Sequence, residues 1–262
     1  MKYTTLGSAK KLTGLSYLGS VGLSSKMAKG LKYNEATYIL YLAPADSSGY
    51  EVCPLRTKEC TLACLNESGR NKIDVKENRI NNARIKKTKL FFEDREFFMG
   101  WLIDEIRREK KKAESVGMTF SVRLNGTSDL DPTTFKLDGK NILEWFPETM
   151  FYDYTKIKKR FNLLEKYPNY DLTFSFSGHN MADCIELLDT KKGRVAMVFE
   201  GNKLPIQWNG YEVIDGDLYD MRYVDDEGVI VGLKFKKVRN KIDLKNNKFI
   251  IPMDSPLNVY EK

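Results

Sequence analysis

The sequence predicts an α/β chain, a partial (β/α) barrel with about six or seven mainly parallel strands, an N-terminal arm and a C-terminal β extension. Three observations predict it. From residue 119 onward, short apolar runs alternate with helix-like segments. The strand-like runs are apolar nearly throughout, as strands covered on both faces are. Three of the four cysteines follow directly on the first clear strand.

The elements follow in order. Residues 1–36 form the arm, rich in Gly, Ser and Lys and without a steady period. Strand character begins at Thr37-Tyr-Ile-Leu-Tyr-Leu-Ala43, which opens the barrel domain at residues 37–240. The cysteine segment and a loop containing Gly69 come next. Residues 74–116 read as two helices with a break near Leu90-Phe-Phe92. In the second, Phe98, Leu102 and Ile106 recur every fourth residue, opposite Arg107-Arg-Glu-Lys-Lys-Lys112. Gly117 ends it. Strands at 119–124, 149–154, 172–176 and 194–199 then alternate with helices at 137–146, 156–166 and 181–188. Runs near 211–214 and 229–235 extend the sheet. Residues 241–262 are a polar tail that includes Phe249-Ile-Ile-Pro252.

With 262 residues, 42% of them hydrophobic, the chain can bury one large core or two small ones. Its net charge of +7 permits an acidic partner, either nucleic acid or a phosphorylated cofactor. The lysines are spread (Lys110 to Lys112, Lys156 to Lys159, Lys234 to Lys237), so an ordinary solvated basic surface is an equal reading. No segment has the length of a membrane span. The first apolar residues are broken by Gly and Ser, so no secretory leader is expected. A cytoplasmic chain is expected, and clustered cysteines there point to metal or redox chemistry more than to disulfides.

Cys53, Cys60 and Cys64 are spaced C-x6-C-x3-C. Three thiolates on one loop suit a [4Fe-4S] cluster with an open iron. A structural zinc needs a fourth ligand, from His179 or Cys184, and usually closer pairs. Structural thiols are the third reading.

Parallel sheets place their sites at the C-terminal strand ends. Those ends offer Arg123, Asn125, Gly126 and Asp129, then Asp153 and Lys156, then Ser175 and Ser177. Gly126 lets a backbone approach closely. Asp129 taken alone reads first as a turn residue capping the next helix, and Asp153 with Lys156 reads equally as a salt bridge. His179, the single histidine, reads as a surface or capping residue. Cys184 lies among Ile185, Leu187 and Leu188 and reads as a buried small hydrophobe. The acidic stretch Asp215-Gly-Asp217-Leu-Tyr-Asp220-Met-Arg222-Tyr-Val-Asp225-Asp226-Glu227-Gly228 could hold Mg²⁺ or Ca²⁺, or be a hairpin with Arg222 paired to a carboxylate. No P-loop, serine-elbow or zinc-finger pattern occurs.

Several longer motifs are specific. Cys53-Pro through Cys64-Leu and Gly69-Arg70, Arg84-x3-Thr88, Arg123-Leu-Asn-Gly-Thr-Ser-Asp129, Phe151-Tyr-Asp-Tyr-Thr-Lys156, Asn169-Tyr170, Leu172-Thr-Phe-Ser175 and Asp215-Gly-Asp217-x2-Asp220-x-Arg222 together resemble the bacteriophage gene product 88 domain family. The resemblance runs from about Leu40 to Lys236. It implies a phage protein acting in the cytoplasm of an infected bacterial host. More distantly, the layout is similar to radical SAM enzymes, where three cluster cysteines follow the first strand of a partial barrel. That likeness implies S-adenosylmethionine as cofactor and a small-molecule or nucleotide substrate. The spacing departs from the C-x3-C-x2-C of that group, and the Gly-Gly-Glu of its second strand is missing. A non-enzymatic, nucleic-acid-associated phage protein with a structural zinc is the alternative.

Overall fold

The computed structural model describes residues 2–21, 29–64, 78–236, 238 and 242–261. The Gly69-Arg70 loop, the expected helix start at 74, Lys237 and residues 239–241 lie outside them. In chain order the elements are α1 (Leu6–Thr13), β1 (Gly19–Val21), β2 (Glu35–Leu40), α2 (Lys58–Leu62), α3 (Arg79–Glu93), α4 (Arg95–Ser115) and β3 (Thr119–Arg123). Then come β4 (Lys136–Leu137), β5 (Lys140–Asn141), α5 (Ile142–Trp145), β6 (Met150–Thr155), α6 (Asn162–Lys166), β7 (Tyr170–Ser175) and α7 (Met181–Asp189). The chain closes with β8 (Arg194–Phe199), β9 (Gln207–Trp208), β10 (Tyr211–Asp215), β11 (Ile230–Lys234), β12 (Ile250–Ile251) and β13 (Asn258–Val259). It is a mixed α/β chain with mainly parallel pairing, and it divides into two compact units.

The first unit comprises Met1–Pro54, Asp74–Asp153 and Asn162–Asp171. Its strands run β1-β2-β3-β6, with β1 antiparallel at the edge and the others parallel. The two long helices break at Asp94, not at Leu90–Phe92. Phe91 and Phe92 keep the helix going because Phe91 packs on Phe98 and Phe135, with centroids 5.2 and 4.5 Å away. Asp94 then starts α4, its carboxylate accepting the Phe97 N–H. The helix expected at 137–146 forms only from Ile142. Asp138 and Gly139 both take positive φ (49° and 78°), so the Asp-Gly pair makes a β4–β5 hairpin turn first. Asn141 and Glu144 then form a capping box that starts α5. Likewise the basic segment after β6 is a 3-10 turn, Lys158–Phe161, before α6.

The arm is more structured than its composition suggests. Thr5 and Ser8 cap α1 reciprocally. The buried Glu105 carboxylate accepts the N–H groups of Leu18 and Gly19 at 3.0 Å and the Tyr38 hydroxyl at 2.7 Å. Gly19 is needed there, because a Cβ would sit 2.5 Å from the Ile39 carbonyl. Burial holds the Glu105 carboxyl above its ordinary range, and those donors pull it partly back.

Lys87 is buried beside this cluster, its amine 4.6 Å from the Tyr17 ring. Burial lowers that amine from 10.5 to about 8. Between those values the unfolded chain binds more protons than the folded one, so this group's contribution to stability rises with pH there. Lys87→Met is therefore expected to be more stable than wild type at neutral pH and to lack the rise above about pH 8. Urea midpoints of both proteins across the window check this; equal slopes would refute it.

The second unit comprises Leu55–Ile73, Tyr154–Phe161 and Leu172–Lys262. Its strands run β7-β8-β11-β10-β9-β13, with β12 beside β8. One core sits between α7 and the sheet, built by Phe174, Val195, Met197, Phe199 and Ile230 against Leu187 and Leu188. Cys184 is sealed in it, and burial pushes its thiol up to about 12. The acidic stretch is not a hairpin, because β10 and β11 are parallel. Residues 216–229 are instead the crossover between them. Gly216 makes the turn possible, since a Cβ there would lie 2.5 Å from Val231. Among the described residues, no helix is long and apolar enough to cross a membrane.

Candidate functional site

Strand alternation gives the two faces of each unit different chemistry. In the first unit, Tyr38, Val122 and Phe151 share the face bearing Glu105. Thr37, Ser121 and Tyr152 are buried on the opposite face, with the Thr37 and Ser121 hydroxyls 3.1 Å apart. Toward the strand C-termini this second face becomes half-exposed, at Tyr41 and Arg123. In the second unit, the face opposite α7 starts from buried Thr173, Arg194 and Val231. It becomes half-exposed at Ser175, Val198 and Leu233. The helix-covered face stays buried along β7 and β8. Each unit thus has a sheet face of mixed polar and apolar residues that is half-exposed at the C-terminal strand ends, the end at which α/β sheets bind ligands; the same faces also reach solvent at Thr119 and Met150 in the first unit and at Asp171 in the second.

In the first unit the cysteine segment is tied to the end of β3. The Asp129 N–H donates to the Val52 carbonyl at 2.7 Å, and the Cys53 thiol lies 3.7 Å from the Thr127 carbonyl. The loop that receives it is held by a buried network. Asp153 accepts the Asn125 backbone N–H at 2.8 Å and its side-chain amide at 2.9 Å. The Asn125 carbonyl oxygen accepts from Ser128 and from the Leu130 N–H, both at 2.8 Å. Thr127 donates to the Leu42 carbonyl and the Gly126 N–H to the Leu40 carbonyl. The close approach that Gly126 allows is to this chain itself: a Cβ would lie 2.7 Å from the Tyr41 ring. Tyr41 is covered on its face by the Arg84 guanidinium at 4.8 Å. Thr88, one turn on, accepts the Ala43 N–H at 2.8 Å.

In the second unit the rest of the cysteine segment is tied to the end of β7. Thr57 caps α2 by accepting the Cys60 N–H, and its hydroxyl donates to the Ser177 carbonyl at 3.0 Å. The Ser177 hydroxyl accepts the His179 N–H. His179 is exposed, and its ring lies 3.5 Å from Glu59, which helps hold that carboxyl below its usual range after the backbone bond at Glu59 itself. Lys156 is half-buried just past β6. At and just past the C-terminal ends of β10 and β11, Asp215 pairs with Lys234 at 2.9 Å and Asp217 with Lys236 at 3.4 Å.

Of the residues nominated from sequence, Arg123 and Ser175 lie on the half-exposed faces. Asn125, Gly126, Asp129 and Asp153 build the loop that holds Cys53. Ser177 anchors Thr57. Thr57, Glu59, Tyr41 and Arg84 were not among the nominated residues. Thr57 before Lys-Glu-Cys carries a helix N-cap signal; the ring contact of Arg84 carries none at sequence level. The donor chemistry suits a soft metal: Cys53, Cys60 and Cys64 are partly exposed, unlike sealed Cys184. Their arrangement does not form a finished site. Among the described residues, no group of three or more His, Cys, Asp or Glu side chains is gathered to hold a metal ion.

A family model described as gene product 88 matches residues 7–248. No curated protein and no solved structure matches the chain.

Proposed function

This chain belongs to the gene product 88 family, and we propose that it is a thiolate-based metal protein whose ligand site is the C-terminal edge of its parallel strands. Cys53, Cys60 and Cys64 would supply the thiolates, with a [4Fe-4S] cluster as the metal group. Such a cluster, held by three thiolates, offers one open iron for electron transfer or Lewis-acid chemistry. Arg123 in the first unit, and Ser175 and Lys156 in the second, are each candidates to bind a polar small molecule, for which S-adenosylmethionine is the nominated cofactor. The observation that carries the reading is the tethering of the cysteine segment: Val52 to the loop after β3, and Thr57 to the end of β7. Because the thiols are not gathered as they stand, no reaction step is assigned to the cluster. The partial (β/α) barrel, and action in the cytoplasm of an infected host, belong to the same proposal. Support for the barrel is the mainly parallel pairing of the strands within each unit.

Anaerobic purification followed by iron, sulfide and zinc analysis tests it. Brown protein with about four irons and four sulfides per chain is expected. Each single Cys→Ser change at 53, 60 or 64 is expected to lose most of that iron. Colourless protein with one zinc and no iron would sink this reading. It would favour the second one, a nucleic-acid-associated protein with a structural metal, for which the net charge of +7 speaks.

A further inference from the structure

We propose that Cys60 and Cys64 form a reversible dithiol–disulfide couple that controls metal uptake by the cysteine segment; the control, though not the couple, rests on the reading above. The helix that starts at Lys58 ends at Leu62, and a tighter turn through Ala63 carries the chain on to Cys64. The Ala63 N–H bonds to the Glu59 carbonyl at 3.1 Å, and the Cys64 N–H to the Thr61 carbonyl at 3.3 Å. The two cysteines are therefore one turn apart. A rise of about 1.5 Å per residue puts their α-carbons roughly 6 Å apart, inside the range of about 4.4–6.8 Å that a disulfide bridges. Cys53 has no such helical register with either. The N-terminal end of α2 is held by Thr57 on Ser177 and by Glu59 beside His179. Cβ atoms one turn apart stand about 5–6 Å from each other, beyond the roughly 3.5–4.5 Å of a disulfide, so closure unwinds the turn from Leu62 to Cys64.

Both thiols are partly exposed, whereas Cys184 is sealed and its thiol is pushed up to about 12. Oxidation needs a disulfide partner such as oxidised glutathione. One protein thiolate attacks a sulfur of that partner and expels a glutathione thiolate. The second protein thiolate then displaces the other glutathione. Two protein thiols lose two electrons and two protons, and the oxidant leaves as two thiols. A closed pair has no thiolate to offer a metal.

The test uses the full chain, purified anaerobically without metal and equilibrated in glutathione buffers of graded potential. After acid quench, alkylation and trypsin, residues 59–70 carry both cysteines and residues 33–56 carry Cys53. In oxidising buffer, peptide 59–70 is expected unlabelled and about 2 Da lighter, with Cys53 still labelled and dithiothreitol restoring both labels. Iron uptake by the oxidised protein is expected to fall about tenfold or more. Full labelling of Cys60 and Cys64 in the most oxidising buffer overturns the couple, as does a cross-link from Cys53. Unchanged iron uptake by protein with a closed pair overturns the control. A closing pair in a chain whose reduced form takes no metal leaves the couple standing and removes the metal reading.

Discussion

Replacing Arg222 by alanine is expected to destabilise the second unit by about 3–5 kcal/mol, the usual cost of stranding one partner of a buried ion pair. Its guanidinium and the Asp225 carboxylate are 1% and 2% exposed, so water cannot replace either partner. Nη1 lies 3.0 Å from Asp225 Oδ2 as an ion pair without hydrogen-bond alignment. The rest of the knot supplies the aligned bonds. Nη2 donates to the Tyr219 carbonyl at 2.6 Å, and the Tyr219 hydroxyl donates to Asp225 Oδ1 at 2.8 Å. The guanidinium also covers the Tyr219 ring at 4.8 Å. Removing Arg222 leaves a dry carboxylate with one neutral donor. Urea unfolding followed by circular dichroism measures the loss. Arg222→Met with Asp225→Leu is expected to cost less than either single change, because apolar groups can fill the space without a buried charge. A single-variant loss under about 1 kcal/mol would show that the knot is not a stability element.

This knot shows where sequence reading stops. A pairing of Arg222 with a carboxylate was legible, since six acidic groups surround it in sequence. Which carboxylate pairs, and that the segment crosses between parallel strands, was not. The apolar runs of β10 and β11 suit either direction, and only the register of Val213 with Ile230 decides it. Strand existence was legible elsewhere for the same reason that it failed to give direction: β8 spans Arg194–Phe199, the apolar run itself. The polar face was half legible. Thr173 and Ser175 stand at alternate positions of an apolar strand, which signals a second face. Thr119, Ser121 and Arg123 alternate in the same way, but that the Thr37 hydroxyl meets Ser121 depends on register alone. The break at Asp94 was missed because Phe91 is held in helix by Phe98 and Phe135, contacts far from the local pattern.

Asp153→Ala is expected to cost about 3–5 kcal/mol and to loosen the loop that holds Cys53. Asp153 is 1% exposed and accepts two bonds from Asn125, so its loss strands a buried N–H and one hydrogen of an amide whose nitrogen also donates to the Leu130 carbonyl at 3.0 Å. Those donors fix the orientation of the Asn125 side chain. In that orientation its oxygen accepts from Ser128 and Leu130, which shapes residues 125–130. That shape presents the Asp129 N–H to Val52 and the Thr127 carbonyl to Cys53. One carboxylate on β6 thus sets the position of a thiol far away in sequence. Asp153→Asn separates charge from shape: one amide oxygen can still accept, but the NH₂ group faces a donor, so a smaller loss of about 1–3 kcal/mol is expected. Hydrogen exchange at Asn125, Asp129 and Leu130 should quicken in both variants, more in the alanine. Cys53 should also alkylate faster, while sealed Cys184 should not change at denaturant levels that leave the chain folded. Unchanged exchange in the loop, with stability lost all the same, would mean that Asp153 supports the sheet and not the cysteine segment.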